Sequence, residues 1–409
     1  MSCCRFLGCS KCCRKNEAVD EVVDLAKSSF GRVLIFVNPA SGAGMGSRIY
    51  LQTIRPELQA KKMSYETIVT EHQNHAAKVL SERNDLRTFD AIVIASGDGL
   101  VFEALNAILS RHDAESLLES LPLYIIPCGS GNGLLASVCH QRKIPIVPAK
   151  ELLKAATEAL TYKYAISLPV TLMHCRTSNK QFGASLSVGW GLMADIDIES
   201  EVLRPLCGSS RFTVGALWRI LCLRNYRARL SFLPLGDEQS PTTSKTPNSV
   251  YEQKDKQLSS IREEEDLEYS IWKDKLVVEE PEMDAPVPHG WRVIEDEFIN
   301  VYAVTRSHIS TNCFFGPDAQ LDQATIHLCY ILKRDVTSKA QIAKFLAAME
   351  KGEHLTLPFA HYTKVKALRL ETLAHQNHRS PIVVDGEVIP DCTQIQCVSS
   401  TLAMRVATK

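Results

Sequence analysis

A chain of 409 residues with a formal net charge of −1, 45% hydrophobic and 23% charged residues, is long enough for two domains, each with its own core. That balance gives no general attraction to nucleic acid, and no apolar run approaches the roughly 20 residues of a membrane span. Fourteen cysteines, with no apolar signal core after the N-terminus, suggest free thiols in a reducing, cytoplasmic setting.

Five of those cysteines, Cys3, Cys4, Cys9, Cys12 and Cys13, fall in the first thirteen residues. Cys9 and Cys12 form a CxxC, but no second pair or nearby histidine completes a zinc site. Ser2 stands where N-myristoylation needs Gly. Cysteines mixed with Arg5, Phe6, Leu7, Lys11, Arg14 and Lys15 suit S-acylation (palmitoylation) at a membrane face. An inert tail and a metal-binding tail stay open beside that reading, and residues 1–29 are taken as a cysteine-rich tail.

Arg32–Val37 (RVLIFV) reads as the first strand and runs into NPASGAGMG. Gly42, Gly44 and Gly46 lack the dinucleotide spacing, and no GK[ST] of a Walker loop is present. The turn still opens a helix, expected over Ser47–Lys61, whose N-terminus can hold an anion. A second strand, Tyr65–Thr70, ends in TEHQNHA, where Thr70, Glu71 and Asn74 could read a ribose or a base, or be solvated loop residues. Ala91–Asn106 (AIVIASGDGLVFEALN) then holds a buried strand, Ile92–Ala95, a tight Ser96-Gly97-Asp98-Gly99 turn, and a helix from Leu100. A carboxylate between two glycines at a strand's carboxyl end lies where open α/β sheets bind ligands. As a lone motif it would be a helix N-cap. Leu123–Pro127 (LYIIP) ends in CGSGNG, a third glycine-rich turn. Strands alternating with helices predict a doubly wound parallel sheet over 30–162, with three glycine-rich loops along one edge suited to a polyphosphate.

From about Lys163 the runs AISLPVTLMHC, FGASLSV, FINVYAV, ATIHLCYIL and VKALRLETL lack regularly interposed helices. They predict a mainly antiparallel, β-sandwich second domain over 163–409. Between about Gly236 and Gly290 the chain turns polar and Pro-rich, with an acidic block at Glu263–Asp266, and is read as a mobile surface insertion. Arg211–Arg229 is basic and amphipathic. Its stripe Val214, Leu217, Trp218 and Leu221 is either an interior face or a docking face for a membrane surface or a calmodulin-like partner.

With all three glycine turns in view, the chain resembles the sphingosine kinases, within the diacylglycerol-kinase-like lipid kinases. SGDG followed by LVFEALN is similar to their catalytic signature, and FVNPASGAG and PCGSGNG to their nucleotide loops. The most specific match is GWGLMADIDIESE (Gly189–Glu201), and RFTVGALWRI, AMEKGEH and VDGE continue it across nearly all of 30–390. The short central insertion is similar to the shorter, type-1 form. The resemblance implies an ATP- and Mg²⁺-dependent transfer to the primary hydroxyl of sphingosine and related sphingoid bases. Asp98 is then the catalytic base, with Ser96, Gly97 and Gly99 beside the substrate.

It further implies nucleotide contacts from Asn38, Pro39 and Ala40, from Thr70, Glu71, His72, Gln73 and Asn74, and from Glu103, Gly129, Ser130 and Gly131. Arg204, Arg211, Asp385, Gly386 and Glu387 complete that set. One extra residue separates Arg204 from Arg211 relative to the family pattern. Asp197 matches the reader of the sphingoid amine, which neutral ceramide and diacylglycerol lack. Leu192, Met193, Ile196, Phe345, Leu346 and His354 match a lining for the hydrocarbon chain. The metal ligands are not implied residue by residue. Peripheral recruitment to the cytosolic face of a membrane and a homodimer are further expectations. The rivals are a ceramide or diacylglycerol kinase, a dinucleotide-dependent oxidoreductase lacking its GxGxxG, and a catalytically silent membrane scaffold.

Overall fold

The computed structural model describes residues 21–23, 30–161, 166–236, 271–373 and 380–408. The cysteine-rich head and the acidic block at Glu263–Asp266 lie outside the described residues.

Strand β1 (Glu21–Val23) lies antiparallel at the edge of β3 (Ser64–Val69). β2 (Arg32–Val37) runs parallel between β3 and β4 (Ala91–Ser96), and β5 (Leu123–Pro127) extends the sheet beyond β4. Val33, Ile35 and Val37 pack with Tyr50, Ile54 and Leu58 on one face. Leu34 and Phe36 pack with Ala104, Leu105 and Ile108 on the other. This is the strand's period of two with both faces covered, as a parallel sheet requires. The chain leaves β2 for β3 on one side and then crosses to β4 on the other. The switch point therefore falls between β2 and β4, where a ligand crevice opens at the strands' carboxyl ends.

Two helix boundaries differ from expectation. The helical stretch after β2 begins at Ser41, with Gly42 and Ala43 left-handed (φ +58° and +60°), and has a π-helical turn at Tyr50–Ile54 before ending at Ala60. The helix after β4 starts at Asp98, not Leu100, and runs to Leu109.

The second half consists of β6 (Ile166–Arg176), β7 (Gln181–Ala184), β8 (Ser187–Gly191), β9 (Tyr226–Pro234), β10 (Arg292–Val304), β11 (His308–Ser310), β12 (Cys313–Phe314), β13 (Ile326–Leu332), β14 (His361–Thr372), β15 (Val383–Val384), β16 (Glu387–Val388) and β17 (Gln394–Thr408). Pairings within this set are antiparallel. β17 joins the halves, because its end runs parallel to β5 through Val406 opposite Leu123 and Ala407 opposite Tyr124. Helix Asp98–Leu109 is fastened to β7 by Asn106, which accepts the Gly183 N–H (2.8 Å) and donates to the Gly183 carbonyl (3.0 Å).

Two expectations need correction. The last part of the polar insertion is packed: Trp272 is fully buried, its ring centroid 4.9 Å from that of His174. Arg369 donates to the carbonyls of Ala285 (2.6 Å) and Glu282 (2.7 Å). A large aromatic anchor outweighs a polar average. The basic amphipathic segment is helical only over Arg211–Leu221, and Tyr226–Arg229 already belong to β9.

Candidate active site

The three glycine loops meet above the switch point. The N–H groups of Cys128 and Gly129 donate to the Ser96 carbonyl (3.1 and 3.3 Å), and the Asp98 N–H donates to the Gly131 carbonyl (3.1 Å). A Cβ on Gly97 would lie 2.5 Å from the Gly131 oxygen, and one on Gly129 2.7 Å from Gly97 Cα. A Cβ on Gly42 would collide with the Cys128 carbonyl. Glycine at these positions lets three backbones touch and leaves a cradle walled by main chain.

Asp98 is 9% exposed at the centre of that cradle. Its carboxylate does not cap its own helix. Oδ2 accepts the Gly133 N–H (2.6 Å) and Oδ1 the Leu134 N–H (3.2 Å), at the start of helix Gly133–Gln141. One glycine loop thus supplies the carboxylate and the next holds it in a fixed orientation. Burial pushes its pKa up to about 6, the two N–H bonds pull it down, and nearby Asp385 adds a smaller upward push. A carboxyl tuned there is mostly ionised at neutral pH yet basic enough to take a proton.

The second half supplies the opposite wall. Asp385, left-handed at φ +49° and buried, binds Ser185, Leu186 and Ser187: its carboxylate accepts their N–H groups at 2.7, 2.9 and 2.8 Å and the Ser185 hydroxyl at 3.0 Å. Its side chain is thereby committed to β8's approach, and Gly386 and Glu387 turn toward the cradle. A Cβ on Gly99 would collide with Glu387 Oε1, and one on Gly386 would lie 4.0 Å from Asp197 Oδ2. The hairpin therefore bridges the SGDG turn and the acidic helix Leu192–Glu199.

On that helix Asp197 pairs through Oδ1 with Arg211 Nη2 (3.0 Å), and its side chain is 26% exposed. Arg211 also donates to the Asp197 carbonyl (2.6 Å) and the Ser200 hydroxyl (2.7 Å), and pairs with Glu201 (2.5 Å). The structure brings this expected nucleotide residue against the acidic segment. The Arg204 side chain is outside the described residues. Asp195 is buried and accepts the hydroxyls of Tyr226 (2.5 Å) and Ser380 (2.7 Å), pinning the helix to β9 and to the approach of the hairpin.

Leu192, Ile196 and Phe345 are buried in one apolar cluster, with Met193 and Leu346 packed on it. His354 is fully buried, with ring centroids 4.6 Å from Phe315 and 5.3 Å from Phe345. All six expected chain-lining residues therefore meet. On helix Arg211–Leu221 the apolar stripe is not an interior face. Arg211 and Arg219 point inward, Arg219 against Glu199 (3.0 Å), while Val214, Leu217, Trp218 and Leu221 are 45–66% exposed.

The other expected nucleotide contacts border the cradle. Asn38 Oδ1 accepts the Ala40 N–H (2.9 Å). Thr70 donates its N–H to the Val37 carbonyl (2.9 Å). Glu71, His72, Gln73 and Asn74 are exposed at the start of helix His75–Glu82, and Glu103 accepts the Ala77 N–H of that helix (2.9 Å). Gly129, Ser130 and Gly131 are half-buried in the third loop. Sequence reasoning missed Ser41, whose buried hydroxyl has no hydrogen-bond partner beside the first loop, and Gly133 and Leu134, which hold Asp98. Ser41 opens a helix at a glycine turn, and that signal could have found it. An orphaned hydroxyl and a cradle where Gly42, Gly97 and Gly129 leave no room for a Cβ fit the phosphates of a nucleotide. Among the described residues no group of three His, Cys, Asp or Glu side chains gathers to hold a metal ion.

A parallel α/β half with a carboxylate in a glycine cradle, closed by an antiparallel half with an apolar cluster, is the arrangement of a diacylglycerol-kinase-type lipid kinase. Residues 32–164 match the diacylglycerol kinase catalytic domain model. A solved Bacillus anthracis protein described as a candidate diacylglycerol kinase shares the fold, with a TM-score of 0.53 at 18% identity over 92% of this chain and 98% of that one. Sphingosine kinase 1 of Caenorhabditis elegans is 39% identical over 388 residues, 90% of this chain and 80% of the worm protein. Sphingosine kinase 1 of Rattus norvegicus is 33% identical, covering 89% of this chain and 88% of the rat protein. The chain belongs to the sphingosine kinase family, in agreement with the motifs.

Proposed function

We propose that the protein transfers the terminal phosphoryl group of ATP to the primary hydroxyl of sphingosine and related sphingoid bases, giving the 1-phosphate and ADP. The observation that carries this reading is the buried Asp98 carboxylate, fixed by two N–H groups where three glycine loops meet. Asp98 accepts the hydroxyl proton as the oxygen attacks the terminal phosphorus in line with the departing ADP oxygen. The backbone of the loops after β2, β4 and β5 and the Ser41 hydroxyl hold the phosphate oxygens. A magnesium ion brought on the triphosphate would offset its charge, held by the phosphate oxygens and not by a ligand cluster among the described residues.

Asp197 selects the substrate. Its partly exposed carboxylate accepts a charge-assisted hydrogen bond from the sphingoid ammonium, which a neutral lipid cannot offer. The chain lies in the cluster around Phe345, where each buried CH₂ contributes roughly 0.8 kcal/mol. Transfer from labelled ATP to sphingosine, ceramide and diacylglycerol in mixed micelles tests the reading. Wild-type protein is expected to label sphingosine, and Asp197→Asn to raise the KM for it by roughly tenfold or more. Preferential labelling of ceramide or diacylglycerol would sink the substrate assignment. Failure on all three lipids with nucleotide still bound would favour a silent scaffold.

The same substrate reaches the enzyme from a bilayer. The outward stripe of Leu217, Trp218 and Leu221, with Val202 79% and Leu206 85% exposed nearby, supports peripheral docking on a membrane surface. A Leu217→Glu, Trp218→Glu double variant is expected to lose most of its sedimentation with phospholipid vesicles while keeping transfer to micellar sphingosine. Unchanged sedimentation would exclude this face. None of the helices in the described residues is long and apolar enough to cross a membrane.

A further inference from the structure

The apolar cluster around Phe345 contains two buried side chains whose polar atoms are not all bonded. Asn300, on β10, is fully buried, and its Oδ1 accepts the Met193 N–H at 3.1 Å. An N–H partner requires the oxygen at that end of the amide, so the orientation is fixed by chemistry. The other end, Nδ2, is buried without a hydrogen-bond partner. Alternation along β10 puts Asn300 on the face of Tyr302 and Val304. Both of those pack in the cluster that holds Leu192, Phe315 and Phe345. Gly191 is the cross-strand neighbour of Asn300 and has no side chain to cover it. Deeper in the same cluster, His354 leaves both ring nitrogens unbonded between Phe315 and Phe345.

A pocket for plain hydrocarbon gains nothing from a buried amide donor, which costs free energy unless the occupant bonds it. The position of the donor indicates which part of the occupant it meets. Met193 precedes Asp197 by one turn of the same helix, ~6 Å along the axis. Asn300 therefore sits where carbons just beyond an amine held by Asp197 enter the apolar cluster. The primary hydroxyl and the amine are already assigned to Asp98 and Asp197. The 3-hydroxyl that every sphingoid base carries on the carbon beside the amine shares the Asp197 end of the site, so C4 is the first further carbon toward the cluster.

Resting on the sphingoid-base reading above, we propose that the Asn300 amide reads a hydroxyl on C4 of the lipid, past the amine and the 3-hydroxyl, which makes a 4-hydroxylated long-chain base the preferred acceptor. Asn300 is a specificity residue on this account, and the His354 nitrogens offer a second polar contact further along the chain.

Sphinganine and 4-hydroxysphinganine differ by that one hydroxyl and form the test pair. The wild-type protein is expected to show a kcat/KM at least about tenfold higher for 4-hydroxysphinganine. Asn300→Leu is expected to bring the ratio of the two values close to one. Both substrates are assayed on one preparation, so the ratio does not depend on how much of the variant is folded. Asn300→Ser, with a short hydroxyl near the Met193 N–H, gives a second variant expected to move the ratio the same way. A wild-type ratio of one or less overturns the inference and leaves the sphingoid-base reading standing, as does a high ratio that survives both substitutions. Absence of transfer to either base overturns that reading and this inference with it.

Discussion

Asp98→Asn is expected to lower phosphoryl transfer to sphingosine by about 10²–10⁴, the range for losing a positioned general base. The substitution preserves shape and one of the two acceptors for the N–H groups of Gly133 and Leu134, but it cannot take the hydroxyl proton. Nucleotide binding, followed by titration calorimetry, is expected to persist because the glycine backbone is untouched. Transfer within about threefold of wild type would remove Asp98 from the base role.

The pH profile gives an independent check. With the Asp98 pKa near 6, above its ordinary 3.8, transfer is expected to rise through about pH 6 and level off toward neutrality. The stability sign runs the other way. A carboxyl whose pKa is raised by folding favours the folded state when protonated. That contribution is full below pH 3.8 and is lost as pH rises through about 6. The group becomes active over the same interval in which it stops stabilising the fold, a conflict expected of a buried functional charge.

Gly97→Ala is expected to lower transfer at least about tenfold and to destabilise the protein by about 1–3 kcal/mol. The cause is steric and not torsional, since Gly97 has φ −109°, open to any residue. The new Cβ would lie 2.5 Å from the Gly131 carbonyl oxygen, a backbone atom with no rotamer to escape into. That same oxygen accepts the Asp98 N–H. Separating the loops therefore moves the base and opens the cradle together. Thermal unfolding and steady-state transfer measured on one preparation check this, and an alanine variant with wild-type values for both would mean that the loops are not in contact.

Much of the fold was legible because its signals are local. RVLIFV and AIVIAS read as two-faced buried strands from composition and length alone, and the glycine turns marked their carboxyl ends. Local signals also misled. The polar average of 236–290 concealed the aromatic anchor Trp272. The stripe on Arg211–Leu221 could be an inward or an outward face, because periodicity gives a face without saying what covers it. Its inward arginines are held by Glu199, Asp197 and Glu201 on a neighbouring helical segment, and no helical period encodes that.

The sequence by itself determined the class of each half, the family through its motifs, and which carboxylates to weigh, since these depend on residue type and short spacing. Tertiary structure alone decided what each carboxylate does. Asp98 is held by Gly133 and Leu134, 35 and 36 residues away, and Asp385 by residues about 200 positions earlier. Whether a carboxylate is a cap, a clamp or a base depends on burial and on the donors that reach it, and both arise only when distant segments fold together.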